Sequence, residues 1–220
     1  MSCLLLTCSA IGALPARAED SPTDKTGATA HGTSAANAAR AMFTVSIPSI
    51  DAKDSSIDTD TLKAILSGDV AAHAGELAKL SATSIKVPEI TMSYSAPDGG
   101  GGGITYTLKD LDLEAIKDGV AQSASIASAE GVGAQGFDFK YGKMSTGVFD
   151  IGGLLAFYGL VPGAPDQPLK TVYKDLDMAG ASLTGPDFKC SMGEATMAEF
   201  KVRPTKASFG DMLALSLIHI

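Results

Sequence analysis

From Ser84 onward the apolar residues of this chain recur at every second position through most of its remaining length. Ile85 and Val87, then Ile90, Met92 and Tyr94, then Ile104, Tyr106 and Leu108, then Phe137, Phe139 and Tyr141 all keep that spacing. Side chains of an extended strand point alternately to opposite faces, so this period predicts strands with one apolar and one polar face. A chain dominated by such segments must be built from sheet. We expect a mainly β protein, a twisted antiparallel sheet in a single domain over residues 42–215. The same strands closed into a barrel or stacked as a sandwich are the alternative.

One strand-like word is written twice. "KDLDLEA" occupies residues 109–115 and "KDLDMAG" residues 174–180. Each is followed by "DFK", at Asp138 and Asp187, and then by "GKMSTGVF" or "GEATMAEF". An apolar run closes each copy, "GGLLAFYGL" in the first and "SFGDMLAL" in the second. The first copy is longer by about one hairpin, and "KDGVAQSASIASAEG" supplies the extra length, with Asp118-Gly119 as its turn signal. We therefore expect two strand–strand–helix repeats, about residues 104–160 and 171–215. Leu111 and Leu176 should be equivalent, since neither unit can bury its apolar face alone.

Before Ser84 the pattern differs. Phe43, Val45 and Ile47 alternate and Pro48 ends that strand. "DAKDSSIDTDTLKAIL" groups carboxylates as a calcium loop does, but its spacing does not fit D-x-D-x-D-G-x5-E. The simpler expectation is a helix over "TLKAILSG" capped by Asp58, Thr59 or Asp60 and ended by Gly68, then a second helix capped by Asp69. Val70, Ala74, Leu77 and Ala78 give that second helix a narrow apolar face bordered by His73. The two form a short N-terminal helical pair.

The ends read as something other than the fold. "CLLLTCSAIGALPARA" joins an apolar stretch to an A-x-A pattern at Ala16-Arg17-Ala18, so residues 1–18 are expected to be an export signal. No Lys or Arg precedes the stretch, which leads us to expect a start further upstream. Residues 19–41 contain no Leu, Ile, Val, Phe or Tyr and are expected to be a disordered linker, His31 included. Residues 216–220, "SLIHI", resemble a translated sequencing adapter, which would make His219 an artefact.

Several features look chemical and are read otherwise. "PDGGGGG" over residues 97–103 lacks the Lys of a phosphate-cradling loop and joins two strands, so a flexible hairpin connection is expected. "GVGAQG" over residues 131–136 is a literal dinucleotide fingerprint, but strand-period aromatics follow it, not a helix. Pro88 implies a sheet edge or a bulge. Once Cys3 and Cys8 leave with the signal, Cys190 is alone, and its place in the alternating "FKCSM" implies a buried strand position. The Asp pairs of the repeated word share a solvent face on a strand, where nothing tunes them for acid–base work.

Two resemblances and two exclusions bear on function. Through "IPSIDA", "LKAILSG", "VPEIT" and "FDIGGLLAFYGL" the chain resembles uncharacterised exported proteins of Gram-negative bacteria, for which no activity is established. The "LKDLDLEA" wording resembles strands of AsmA-like envelope proteins, which implies a long curved sheet and a link to lipid handling. A net charge of −8 excludes the basic surface that nucleic acid or anionic lipid requires. There is no G-x-S-x-G, H-E-x-x-H or S-x-x-K, and no Trp to serve as a sugar platform.

These readings lead us to expect an exported, non-enzymatic envelope protein, periplasmic or extracellular, acting by binding or scaffolding. No catalytic residue, metal or cofactor is assigned. A carrier of an apolar or lipid ligand and a hydrolase using only Asp and Glu are the alternatives. Partners would be lipid or another envelope protein. The one candidate contact patch is Leu154, Leu155, Phe157 and Tyr158, in the most apolar run of the domain. At about 11 residues that run is too short to span a membrane.

Overall fold

The computed structural model describes residues 43–94, 103–133, 136–161 and 168–203. The expected signal and linker, most of the glycine loop, the "SFGDMLAL" run and the C-terminal tail lie outside them. The described chain is mainly β and forms one curled antiparallel sheet. Its segments are β1 (Phe43–Ser46), β2 (Asp51–Lys53), β3 (Ala82–Tyr94), β4 (Ile104–Ile116), β5 (Val120–Ala121), β6 (Ser123–Ile126) and β7 (Ser128–Gly133). They continue with β8 (Asp138–Tyr141), β9 (Met144–Thr146), β10 (Val148–Asp150), β11 (Lys170–Met178), β12 (Ala181–Gly185), β13 (Phe188–Met192) and β14 (Ala195–Val202).

Many of these segments are pieces of longer, bent strands. β1 and β2 pair with β3 in one common register, Phe43↔Tyr94 at one end and Lys53↔Ser84 at the other. β6 and β7 likewise share one register against β4, and β8, β9 and β10 share one against β11 and β12. Put together, each long strand lies beside the next in the chain. The sheet is a meander with two edges, β1/β2 on one side and β13/β14 on the other. A meander needs only short turns between neighbours, which alternating segments separated by Gly, Pro and Asp supply.

The bends have a local cause that explains the repeated word. Asp110 and Asp175, the second letters of the two copies, adopt left-handed φ of 50° and 55°. Asp tolerates that region better than most residues because its short side chain can bond locally. At each bend the ladder pauses, and the carbonyl of the preceding Lys accepts a bond from the neighbouring strand. Ala127 N–H donates to Lys109 O and Gly147 N–H to Lys174 O, both at 2.9 Å. Pro88 sits opposite Asp110 where β1 and β2 are interrupted, so its missing N–H costs no ladder bond, in keeping with a bulge-like position. Ala115 is also left-handed, with φ 48°. Ala115→Gly should therefore raise stability, by about 0.5–1 kcal/mol once Gly's extra unfolded-state entropy is subtracted. Thermal unfolding measures it; a lower melting temperature would reject the strain argument.

The repeat stops at the level of the strand. The inserted segment, β5 to β7, is one long strand and not a two-stranded hairpin. One added strand reverses the direction of everything after it. In the first copy β4 and the "DFK" strand beginning at β8 are therefore parallel, with a strand between them. In the second copy β11–β12 and β13–β14 are adjacent and antiparallel. The two units cannot be superposed. Leu111 packs against the core, whereas Leu176 is half-buried outside that cluster.

Helices cover one end of the sheet. α1 (Thr59–Ala64) is capped by Asp58, whose carboxylate accepts from Thr61 N–H at 2.9 Å and is held below the usual carboxylate range by hydrogen bonding to Thr61. The helical path continues through a wider turn from Ile65 and breaks at Gly68, whose backbone (φ 168°, ψ −8°) is not helical, as expected. α2 (Ala74–Leu77) begins at His73, so Asp69 is not its cap; Asp69 O instead receives His73 N–H at 3.2 Å, one turn earlier. Ala74 and Leu77 are buried and Val70 and Ala78 half-buried, the expected apolar face. α3 (Ile151–Phe157) is capped by Asp150, which accepts from Gly153 N–H at 2.7 Å. Leu62, Ile65, Leu77, Ile85, Val87, Leu113, Ile116 and Leu155 form the core between helices and sheet.

The Asp118-Gly119 turn is as expected: both residues are left-handed and close the bridge Lys117↔Val120. Cys190 corrects the expectation of burial. It is exposed, because β13 is an edge strand with no described element over either face, and alternation alone does not say that a face is covered. No helix among the described residues is long and apolar enough to cross a membrane.

Candidate binding surface

The two ends of the sheet differ in what lies on them. At the end opposite the core, residues paired directly across strands share a face, so each row can be read through the ladders. One row runs Thr91, Thr107, Glu130, Lys140, Ser182, Ser191. Every member is polar. The next row, on the other face, runs Met92, Tyr106, Gly131, Phe139, Leu183, Cys190. A parallel row holds Ile90, Leu108, Ala129, Tyr141, Ala181 and Met192. This end is amphipathic, one face polar and one apolar.

The apolar face is ordered by ring contacts. Phe139 lies 4.9 Å from Tyr106 and 5.7 Å from Tyr141, and Phe137 lies 5.9 Å from Phe188. Glycines make the room. A Cβ on Gly131 would sit 1.9 Å from the Phe139 ring, and one on Gly185 would sit 2.4 Å from the Phe188 ring. Bulky aromatics laid over cross-strand glycines fill the space those glycines leave open. Of the glycines that imitate a dinucleotide fingerprint, Gly131 is thus explained by packing, whereas Gly136 lies in open space with a left-handed φ of +79°. Phe137 and Phe188 remain 43% and 46% exposed, and Phe139, Tyr141, Leu183 and Met192 are half-buried. The main helix contacts with the sheet fall elsewhere, on β1, β5 and β11.

The expected contact patch sits at the core end. Leu155 is 7% exposed and belongs to the core. Leu154 and Phe157 are half-buried, and Tyr158 is 48% exposed beside Leu160. Phe157 meets Phe200 edge-on at 6.3 Å; Tyr173 in turn stacks on Phe149 at 5.5 Å. Burial pushes the Tyr173 hydroxyl above its ordinary pKa. The structure thus splits the patch: Leu155 inward, Tyr158 outward, the rest between.

A shallow furrow crosses the polar side along the bends. One part, about 540 Å³, is lined by Lys86, Asp112, Ser125 and Lys143; the other, about 280 Å³, by Lys143, Ser145, Asp177 and Glu194. Lys86 pairs with Asp112, and that hydrogen bond holds the Lys86 ammonium above its usual range. Asp112 and Asp177 lie three strand steps apart through Ser125 and Ser145, about 14 Å at ordinary spacing. That exceeds the 5–9.5 Å or so over which a carboxylate pair cleaves a glycosidic bond. Asp150, which sequence reasoning passed over, is 2% exposed and paired with Lys170 Nζ at 2.6 Å. Its helix-capping bond gives it an architectural role. His73 meets Glu76 at 3.3 Å. Among the described residues no group of three or more His, Cys, Asp or Glu side chains is placed to hold a metal ion.

No protein-family model, curated protein or solved structure matches this chain.

Proposed function

We propose that this is an exported, non-enzymatic cell-envelope protein that works by binding, and that it carries an apolar or lipid ligand on the far-end face. The single observation behind the reading is the aromatic and aliphatic surface around Phe137, Phe139, Leu183 and Phe188, with Phe137 and Phe188 substantially exposed on an otherwise ordered sheet. Contiguous exposed apolar surface marks binding sites more often than isolated exposed residues do. The export half of the proposal rests on the sequence of residues 1–18.

Parinaric acid, a fluorescent fatty acid, tests the ligand reading, and the absence of Trp keeps its signal clean. The protein should enhance its emission at micromolar concentration. Phe137→Ser combined with Phe188→Ser should weaken binding at least tenfold with a folded protein retained, the lost ring contact and the uncovered Gly185 costing about 1–2 kcal/mol. Binding that survives the double substitution, or none in the parent protein, would reject the proposal.

A further inference from the structure

We propose that two copies of this chain pair through the outer edges of β13, antiparallel and centred on Cys190, so that one sheet continues into the other. β13 ends the sheet order. Its inner edge is bonded to β12 in unbroken register, and among the described residues nothing pairs with its outer edge. A bare edge presents backbone N–H and C=O groups ready for another strand. β13 keeps two of the usual protections, its five-residue length and Lys189, and lacks Pro and a bulge. The opposite edge is less suited, because β1 and β2 are short, are parted at Pro48, and carry Asp51 and Lys53 on β2. β14 shares the β13 edge but bears Glu199 and Lys201 beyond the break at Gly193.

The register follows from the strand itself. Cys190 is the central residue of Phe188–Met192, so a two-fold axis there matches the whole strand with itself. Phe188 then faces Met192 of the second copy, Lys189 faces Ser191, and Cys190 faces its own equivalent. Apolar residues meet apolar ones and no like charges stand directly opposed, which cross-strand pairing favours. A slip of one residue would put Phe188 against Ser191, and centring on Lys189 would oppose two lysines. The apolar rows ending at Cys190 and Met192 would run on into the second copy. The two-fold contact closes on itself, giving a dimer and not a fibre. The proposal is independent of the ligand reading.

The thiol serves as reporter. Opposed residues in an antiparallel pair have Cα atoms about 4.5–5.5 Å apart, within disulfide range. In the full chain carrying Cys3→Ser and Cys8→Ser, diamide should link Cys190 to its equivalent. The two thiols give up two electrons and two protons to the azo oxidant, and a sulfur–sulfur bond forms. A covalent dimer reversible by dithiothreitol is expected in high yield. Moving the thiol by Cys190→Ser with Ser191→Cys should cut the yield at least fivefold, and adding Lys189→Cys to that variant should restore it. In sedimentation Cys190→Ser should remain dimeric, while Cys190→Lys should become monomeric with an unchanged circular-dichroism spectrum and a melting temperature that no longer depends on protein concentration. A monomer at every concentration, or equal cross-linking from positions 190 and 191, would overturn the proposal.

Discussion

Replacing Gly119 by Ala should lower the urea midpoint sharply, with a loss of about 3 kcal/mol at an unchanged slope. Gly119 has φ +78°, where a Cβ strains the backbone by about 1–2 kcal/mol. The space is closed as well: an added Cβ would lie 2.3 Å from the Ala78 carbonyl oxygen and 2.7 Å from its carbon. Those are backbone atoms at the end of α2 and cannot swing aside, so a further 1–3 kcal/mol or so of overpacking is expected. Gly119 also joins three elements. Its N–H donates to Leu80 O and its carbonyl accepts from Ile151 N–H, each at 2.8 Å, tying the α2 exit and the start of α3 to the β4–β5 turn. Gly193→Ala is the matched control, since nothing lies within 4 Å of its added Cβ. Equal effects at the two glycines would show that close approach at Gly119 is not what holds the helices to the sheet.

That turn was readable beforehand, because Asp-Gly beside alternating runs demands left-handed residues and little else satisfies it. The strands were readable for a similar reason: Ile85, Val87 and Leu113 keep period two and share the covered face. Asp58 was readable as one of three candidate caps with Thr59 and Asp60, and the structure selects it because its carboxylate reaches the N–H three residues on. What sequence could not convey was anything set by partners. Cys190 alternates like a core residue, yet coverage depends on whether another element lies over β13. Asp110 looks like an ordinary solvent-facing strand residue, and only pairing on both sides shows that the ladder pauses there. The length of the insertion was legible, but its parity, one strand against two, decides direction and is not written in length. The far-end face was missed because its signal was spread over strands distant in sequence, whereas "GGLLAFYGL" concentrates apolar residues in one place and drew the site assignment there.

Leu155→Ser should unfold the protein early, with a loss of about 3–5 kcal/mol, whereas Tyr158→Ser should cost about 1 kcal/mol or less. Both residues belong to the same apolar run, so the comparison asks what that run is for. Leu155 lies 7% exposed in the core cluster with Leu62, Leu77 and Ala121. Serine there removes the buried aliphatic volume, leaves a cavity and adds a hydroxyl needing a partner. Tyr158 is nearly half exposed just past the end of α3, so about half of it is already in water. Phe157 should fall between, because it is half-buried and keeps an edge contact with Phe200. A graded order, Leu155 then Phe157 then Tyr158, follows if the run is chiefly the piece that seals the core end of the sheet. Small losses at all three, accompanied by weaker parinaric acid binding, would instead move the binding surface from the far-end aromatics to this helix.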